Sequence, residues 1–175
     1  MNAKLEVLEG HVGTSNVSGS RTTGASIGRS NYASIQEFAD AVTVRYQQFY
    51  DDAYANAYSL VKLKLLKNDR LVIGSRIDRD ARLQLRDWLL NSEGIQEGAG
   101  QIIAVNRRLY DPLGSGLYRQ PDVYIPGARL ILDGSLEMKT ATAAQIRGFR
   151  AYSGGANVTI IKPTAEPGSF SFLFR

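Results

Sequence analysis

The segment from Arg129 to Lys139 alternates almost without interruption, with Leu130, Leu132, Gly134, Leu136 and Met138 on one side and Arg129, Ile131, Asp133, Ser135, Glu137 and Lys139 on the other. A period of two belongs to an extended strand that turns one face to a core, so this stretch predicts a strand whose opposite face carries the polar groups. Just before it, Pro126-Gly127 is turn chemistry, and Val123 to Ile125 precedes the turn, so the two strands are expected to pair as a hairpin. Ile102 to Val105 and Asn157 to Lys162 read as further strands, and Thr142 to Tyr152 as a short helix before the last of them. The Gly-, Pro- and polar-rich stretch Tyr110 to Gln120 is expected to be a loop.

The N-terminal part has a different period. From Ser34 onward Ile35, Phe38, Ala39, Val42, Tyr46, Phe49 and Tyr50 recur at three- and four-residue steps, with Ser34 and Glu37 spaced as a capping box, which predicts a helix running to about Lys67. Within it Tyr46, Tyr50, Tyr54 and Tyr58 form a ridge, read as half-buried packing because tyrosine is amphipathic. Leu71 to Ile73 looks like a short β run, and Ile77 to Asn91 like a second helix with Ala81, Leu85, Trp88 and Leu89 on its apolar face and Gly94 as its stop. Helices first, then strand, hairpin, helix and strand, is an α+β order with a mixed central sheet flanked by helices. Residues 1–30, dominated between Gly10 and Arg29 by Gly, Ser and Thr, are expected to be a flexible tether; 31–175 form the folded unit, helical over 34–91 and with its sheet core over 100–163.

Composition narrows the chemistry. The 175 residues include no cysteine and one histidine, His11, which lies in the expected tether. Thiolate nucleophiles, Cys-ligated zinc, paired-histidine acid/base chemistry and multi-histidine metal centres therefore lack their residues. Carboxylates, lysine, arginine, hydroxyls and a metal held by oxygen remain. No apolar stretch approaches membrane-spanning length and Met1 is not followed by a signal-like run, so a soluble domain is expected. The net charge is +4, and residues 96–175 hold nine Lys/Arg against six Asp/Glu, a field suited to a polyanion.

On the expected strand Glu137 and Lys139 share a face, their Cα atoms roughly 6.5 Å apart at a rise of about 3.3 Å per residue. Pro121-Asp122 enters the preceding strand, where Asp122 can face Glu137. Two carboxylates and a lysine are the set that phosphodiester hydrolysis uses: the acids Asp122 and Glu137 hold Mg²⁺ or another hard divalent ion, and Lys139 positions the attacking water. Asp133 shares the face of Glu137 and is a competing ligand.

Pro121-Asp122 followed by Glu137-Met138-Lys139 resembles the PD-(D/E)xK nuclease superfamily, the restriction-endonuclease-like fold, over about residues 77–163. The resemblance implies a further acid on an upstream helix, for which Asp78, Asp80, Glu93 and Glu97 are available, and polar residues on the helix after the lysine, here Gln145 and Arg147. The stretches Asn106-Arg107-Arg108-Leu109-Tyr110-Asp111-Pro112 and Tyr118-Arg119-Gln120-Pro121-Asp122 are similar to C-terminal toxin domains of bacterial contact-dependent inhibition and related polymorphic toxin systems. That likeness implies delivery as part of a larger secreted or surface-borne toxin, action in the cytoplasm of a target bacterium, and a cognate immunity protein. The Val-Glu-Asn-Asn junction often seen in such systems is absent.

The expectation is thus a toxic metal-dependent endonuclease, with tRNA slightly favoured over DNA and with Arg107, Arg108 and Arg119 flanking the substrate channel. Gly114-Ser115-Gly116 with Arg119 is a weaker phosphate cradle, since Gly and Ser in a loop ordinarily make a turn. Two other classes stay open: a non-catalytic nucleic-acid or protein-binding module on the same fold, and a structural particle protein that self-associates.

Overall fold

The computed structural model describes residues 32–166 and 172–174; the expected tether and His11 lie outside them. Helix α1 spans Ile35–Lys62 and buries Phe38, Ala39, Val42, Tyr46, Tyr50, Ala53 and Ala57. Ser34 Oγ accepts from the Glu37 N–H at 3.1 Å, while the Glu37 carboxylate accepts from the Ala33 N–H at 2.6 Å, so the box closes one residue early. Helix α2 spans Arg70–Asn91 and packs along α1.

The expected β run at Leu71–Ile73 is a correction. It is the first turn of α2, because the Asp69 carboxylate accepts from the N–H groups of Leu71 and Val72, at 3.0 and 3.2 Å, and caps the helix there. Leu71 and Val72 are exposed, and the buried series is Ile73, Ile77, Ala81, Leu85 and Leu89, a four-residue period. The helix stops as expected near Gly94, which takes φ +65°.

The main sheet contains β1 (Ala104–Val105), β4 (Val123–Ile125), β5 (Leu130–Gly134), β6 (Asn157–Ile161) and β7 (Phe172–Phe174), in that spatial order. All neighbours are antiparallel except β5 and β6, which run parallel and are joined through helix α3 (Ala144–Tyr152). The arrangement is α+β with a mixed sheet, as the order of elements predicts. A 3-10 turn at Pro126–Ala128 closes the β4–β5 hairpin. Inside the expected loop, β2 (Leu109–Tyr110) and β3 (Tyr118–Arg119) form a separate two-stranded hairpin.

Both faces of the sheet are covered. Val123, Ile125, Leu132 and Ile161 pack with α1 and α2, while Ile131, Val158 and Ile160 pack with Ile146 and Phe149 of α3. This differs from the one-sided strand expected for Arg129–Lys139. The strand also ends early, at Gly134, so Glu137 and Lys139 lie on the loop that follows. The reason is the partner: β5 pairs with β6 as far as Gly134 opposite Ile161, the Ser135 N–H adds one further bond to the Ile161 carbonyl, and Pro163 then has no amide to donate back. Among the described residues no helix is long and apolar enough to cross a membrane.

Candidate active site

At the end of the sheet where β4 begins and β5 stops, acidic side chains from three elements converge. Asp122 stands just ahead of β4 and Asp133 is the penultimate residue of β5; both are buried. One Asp122 oxygen accepts from the Arg82 guanidinium and the other from the Gly134 N–H at 2.7 Å, so the hairpin register itself fixes this carboxylate. Arg82 comes from α2, one turn after Asp78, and the two share a helix face. Asp78 accepts a 3.1 Å hydrogen bond from the Tyr50 hydroxyl of α1. Asp133 Oδ2 accepts from Lys139 Nζ at 2.7 Å and from Gln145 Nε2 of α3 at 3.2 Å.

Close packing holds this geometry. A Cβ on Gly134 would stand 2.2 Å from the Tyr50 ring, so only glycine lets the buried tyrosine lie across the end of β5 and reach Asp78. The loop bearing Lys139 is fastened by the Ser135 N–H to the Ile161 carbonyl at 3.0 Å, by buried Leu136, and by the Arg70 guanidinium on the Leu136 carbonyl. Tyr46, one turn before Tyr50, is fully buried, and among the described residues its hydroxyl meets no partner of hydrogen-bonding geometry. Its proton is held well beyond the ordinary tyrosine range by burial and by the charge of nearby Asp122.

Electrostatically the cluster is overcrowded with negative charge. Burial, and next the charge of Asp122, push Asp78 up to about 7. The same two causes, in the same order, push Asp133 up to about 7 against the opposing pull of Lys139. Fully ionised, Asp78, Asp122 and Asp133 carry three negative charges against two positive ones on Arg82 and Lys139, a net of −1 in a poorly solvated place. Such a centre gains from any added cation, proton or metal. A cleft of about 270 Å³ opens beside it; of the three acids Asp78 lines this cleft, together with Tyr50, Ser135, Glu137, Lys139 and Gln145, while Asp122 and Asp133 lie behind its wall. Larger grooves run elsewhere on the surface, one along α1 and the sheet and one beside Trp88, without a comparable convergence of acids and lysine.

Of the residues expected from the sequence, Asp122, Asp133, Lys139 and Gln145 come together here. Glu137 does not: it is exposed on the cleft rim, its N–H donating to Ser135 Oγ at 3.1 Å, because the strand that was to carry it has ended. Of the upstream acids Asp78, Asp80, Glu93 and Glu97, Asp78 is the one that lines this cleft. Asp80 pairs with Arg76 and Arg79, and Glu97 with Arg86 and the Val105 N–H. Arg147 is exposed on α3. Arg119 is the last residue of β3, and Arg107 and Arg108 precede β2, with Arg107 3.9 Å from Glu97. Gly114-Ser115-Gly116 is that hairpin's turn, tied by the Asp111 carboxylate to the Leu113 N–H at 3.0 Å and to the Ser115 hydroxyl.

Arg82 and Tyr50 were missed. The available signal was positional: Asp78 and Arg82 each directly follow a buried apolar residue, Ile77 and Ala81, and so border the core stripe of α2. As to metal, among the described residues no three acidic or histidine side chains are grouped as a ready cation cage. Mg²⁺ needs fewer, since it commonly takes one or two carboxylates and completes its shell with water and phosphate oxygens. Asp122 and Asp133 offer that number of hard oxygen donors. A carboxylate has about four lone-pair sites, so the two bonds at Asp122 leave capacity.

Comparison with protein-family models, with curated proteins and with solved structures finds no match to this chain.

Proposed function

We propose that the chain is a metal-dependent endonuclease of the PD-(D/E)xK type. The observation that carries this reading is the convergence of Asp122, Asp133, Lys139 and Gln145, with Asp78, at one end of a mixed sheet beside an open cleft. In this reading Asp133 takes the place of the motif acid, and the lysine has moved from the strand to the following loop, returning to Asp133 from Lys139. Asp122 and Asp133, with Asp78 adjacent, would hold Mg²⁺ or a similar divalent ion. Such an ion, when bound, acidifies water and neutralises charge on the phosphoryl oxygens.

The chain's own groups do the rest. Lys139, held against Asp133, directs an ammonium proton at the attacking water and keeps it aligned. Gln145 donates to the same carboxylate oxygen and fixes the orientation of Asp133 from the α3 side. Tyr50 does the same for Asp78. Arg82 offsets the charge of Asp122, so that the acids can remain close together.

The target remains as the sequence suggests: nucleic acid in the cytoplasm of a neighbouring bacterium, tRNA slightly ahead of DNA, with delivery by a larger toxin and a cognate immunity protein. Its support is the likeness of Asn106 to Pro112 and Tyr118 to Asp122 to toxin domains. One observation favours the rival, a non-catalytic binding module: both oxygens of Asp122 are already engaged within the protein. Incubating the protein with total RNA and with plasmid, with Mg²⁺ and with EDTA, decides between the two. Cleavage in Mg²⁺ that EDTA abolishes is expected; no cleavage of either substrate would sink the nuclease reading.

A further inference from the structure

The β2–β3 hairpin is too short to stand by itself, since only Leu109 pairs with Arg119 and Tyr110 with Tyr118. Cross-strand partners share a face, so Leu109 and Arg119 lie on one side and Tyr110 and Tyr118 on the other. The first side is anchored. Leu109 packs on the cluster of Ile131, Ile146 and Phe149. Arg119 lies against Gly148 of α3, where a Cβ would come within 2.5 Å of its Nε, and extends over the Tyr152 ring at 5.8 Å.

Among the described residues, no element covers the second side. Tyr110 is 57% and Tyr118 41% exposed, their ring centroids 6.0 Å apart and tilted by 58°. The Arg108 guanidinium sits 4.3 Å from the Tyr118 centroid. At the tip Leu113 is 91% exposed. Among the described residues, no acid forms an ion pair with Arg108, Arg119 or Arg147, and the nearby Asp111 is occupied within its own turn.

Two exposed rings beside the uncompensated Arg108 guanidinium match a strand that offers a phosphate charge and a free base face together. Bases inside a duplex have no free face; unpaired ones do. Location also fits. Gln145, which bonds Asp133, and Gly148, which seats Arg119, are three residues apart on α3, about 4.5 Å along its axis at 1.5 Å per residue. The anchored side of the hairpin therefore borders the acid cluster.

We infer that the β2–β3 hairpin is a gripping arm for unpaired nucleotides, with Tyr110 and Tyr118 stacking on bases and Arg108 contacting a flanking phosphate. The substrate class is then single-stranded or loop-exposed nucleic acid rather than uninterrupted duplex. This rests on the nuclease reading only for its purpose; the binding itself does not require cleavage.

The test is fluorescence anisotropy with the full chain in EDTA, using a labelled 12-nucleotide single strand of RNA, the same strand as DNA, and each as a duplex. The single strands are expected to bind about 10-fold tighter than the duplexes. Tyr118→Leu is expected to lose about 10-fold on single strands and far less on duplexes. Equal affinity of the wild-type protein for single strand and duplex, or binding to neither, overturns the inference; the wild-type comparison stands even if the variant fails to fold. A loss at Tyr118→Leu that is the same on both forms, in a protein with an unchanged melting temperature, also overturns it. A parallel cleavage assay in Mg²⁺ separates the two claims. Single-strand preference without cleavage refutes the nuclease and leaves the arm, whereas cleavage without strand preference does the reverse.

Discussion

Arg82→Met probes the electrostatic balance that the site depends on. In the native protein the side chain of Asp122 is 7% exposed and that of Arg82 19%, so the pair is largely withdrawn from water. Taking away the guanidinium leaves Asp122 with the Gly134 N–H as a donor, while the carboxyl groups of Asp78 and Asp133 stay nearby. Breaking a buried pair from one side costs about 3–5 kcal/mol, because the remaining charge is desolvated and unpaired. Since Arg82 keeps some access to solvent, the lower end applies, about 3 kcal/mol, or roughly 10 °C in melting temperature for a unit of this size. Methionine preserves most of the side chain's apolar volume, so the loss reports charge rather than packing. The double variant Arg82→Met/Asp122→Asn removes the stranded charge and should recover at least half of the loss. Urea unfolding followed by circular dichroism gives both numbers at fixed pH. A loss under about 1 kcal/mol, or a double variant no better than the single one, would refute the idea that Arg82 is the counter-charge of the cluster.

Further expectations bear on neighbouring features. Gly134→Ala drives a methyl group into the Tyr50 ring and should cost about 2–3 kcal/mol; a neutral result in urea unfolding would mean that Tyr50 does not lie across β5. Asp78 and Asp133 both hold protons in the folded state up to about pH 7, whereas the unfolded chain releases them near pH 4. Folded pKa values raised in this way make stability fall as pH rises between those limits. In EDTA the urea midpoint should therefore drop from pH 5 to pH 7.5, less so in Asp133→Asn; a rising midpoint would contradict the assignment. Asp69→Ala removes the cap that starts α2 early and should lower both the urea midpoint and the helicity, whereas no change in either would argue against that start.

Much of this architecture was legible because it is written in local periodicity. The three- and four-residue steps of α1, the hairpin around Pro126-Gly127 and the limits of α3 and β6 each follow from short-range pattern and turn chemistry. What failed depended on partners distant in sequence. Leu130 to Met138 alternates as a strand should, but alternation cannot reveal that β6 runs into Pro163 and that the ladder ends after the Ser135 N–H bonds Ile161. The alternation therefore predicts a common strand face for Glu137 and Lys139 that does not exist. Lys139 nonetheless reaches the acids, because Arg70 and Leu136 fold the loop back. Leu71 to Ile73 misled for the opposite reason: three apolar residues in a row imitate a strand until Asp69 is recognised as a cap. Tyr50 belongs both to the packing ridge and to the site, and only the approach of α1 to α2 and β5 distinguishes it from Tyr54 and Tyr58.

The central claim is that Asp133 with Lys139, and not Glu137, forms the working pair beside Asp122. Its most direct test is the initial rate of Mg²⁺-dependent cleavage for Asp133→Asn, Lys139→Ala and Glu137→Gln, each first shown to be folded. The first two should lose roughly 100-fold or more, and Glu137→Gln should keep most of the wild-type rate. An inactive Glu137→Gln beside an active Asp133→Asn would contradict the account and return the chemistry to the acid two residues before the lysine.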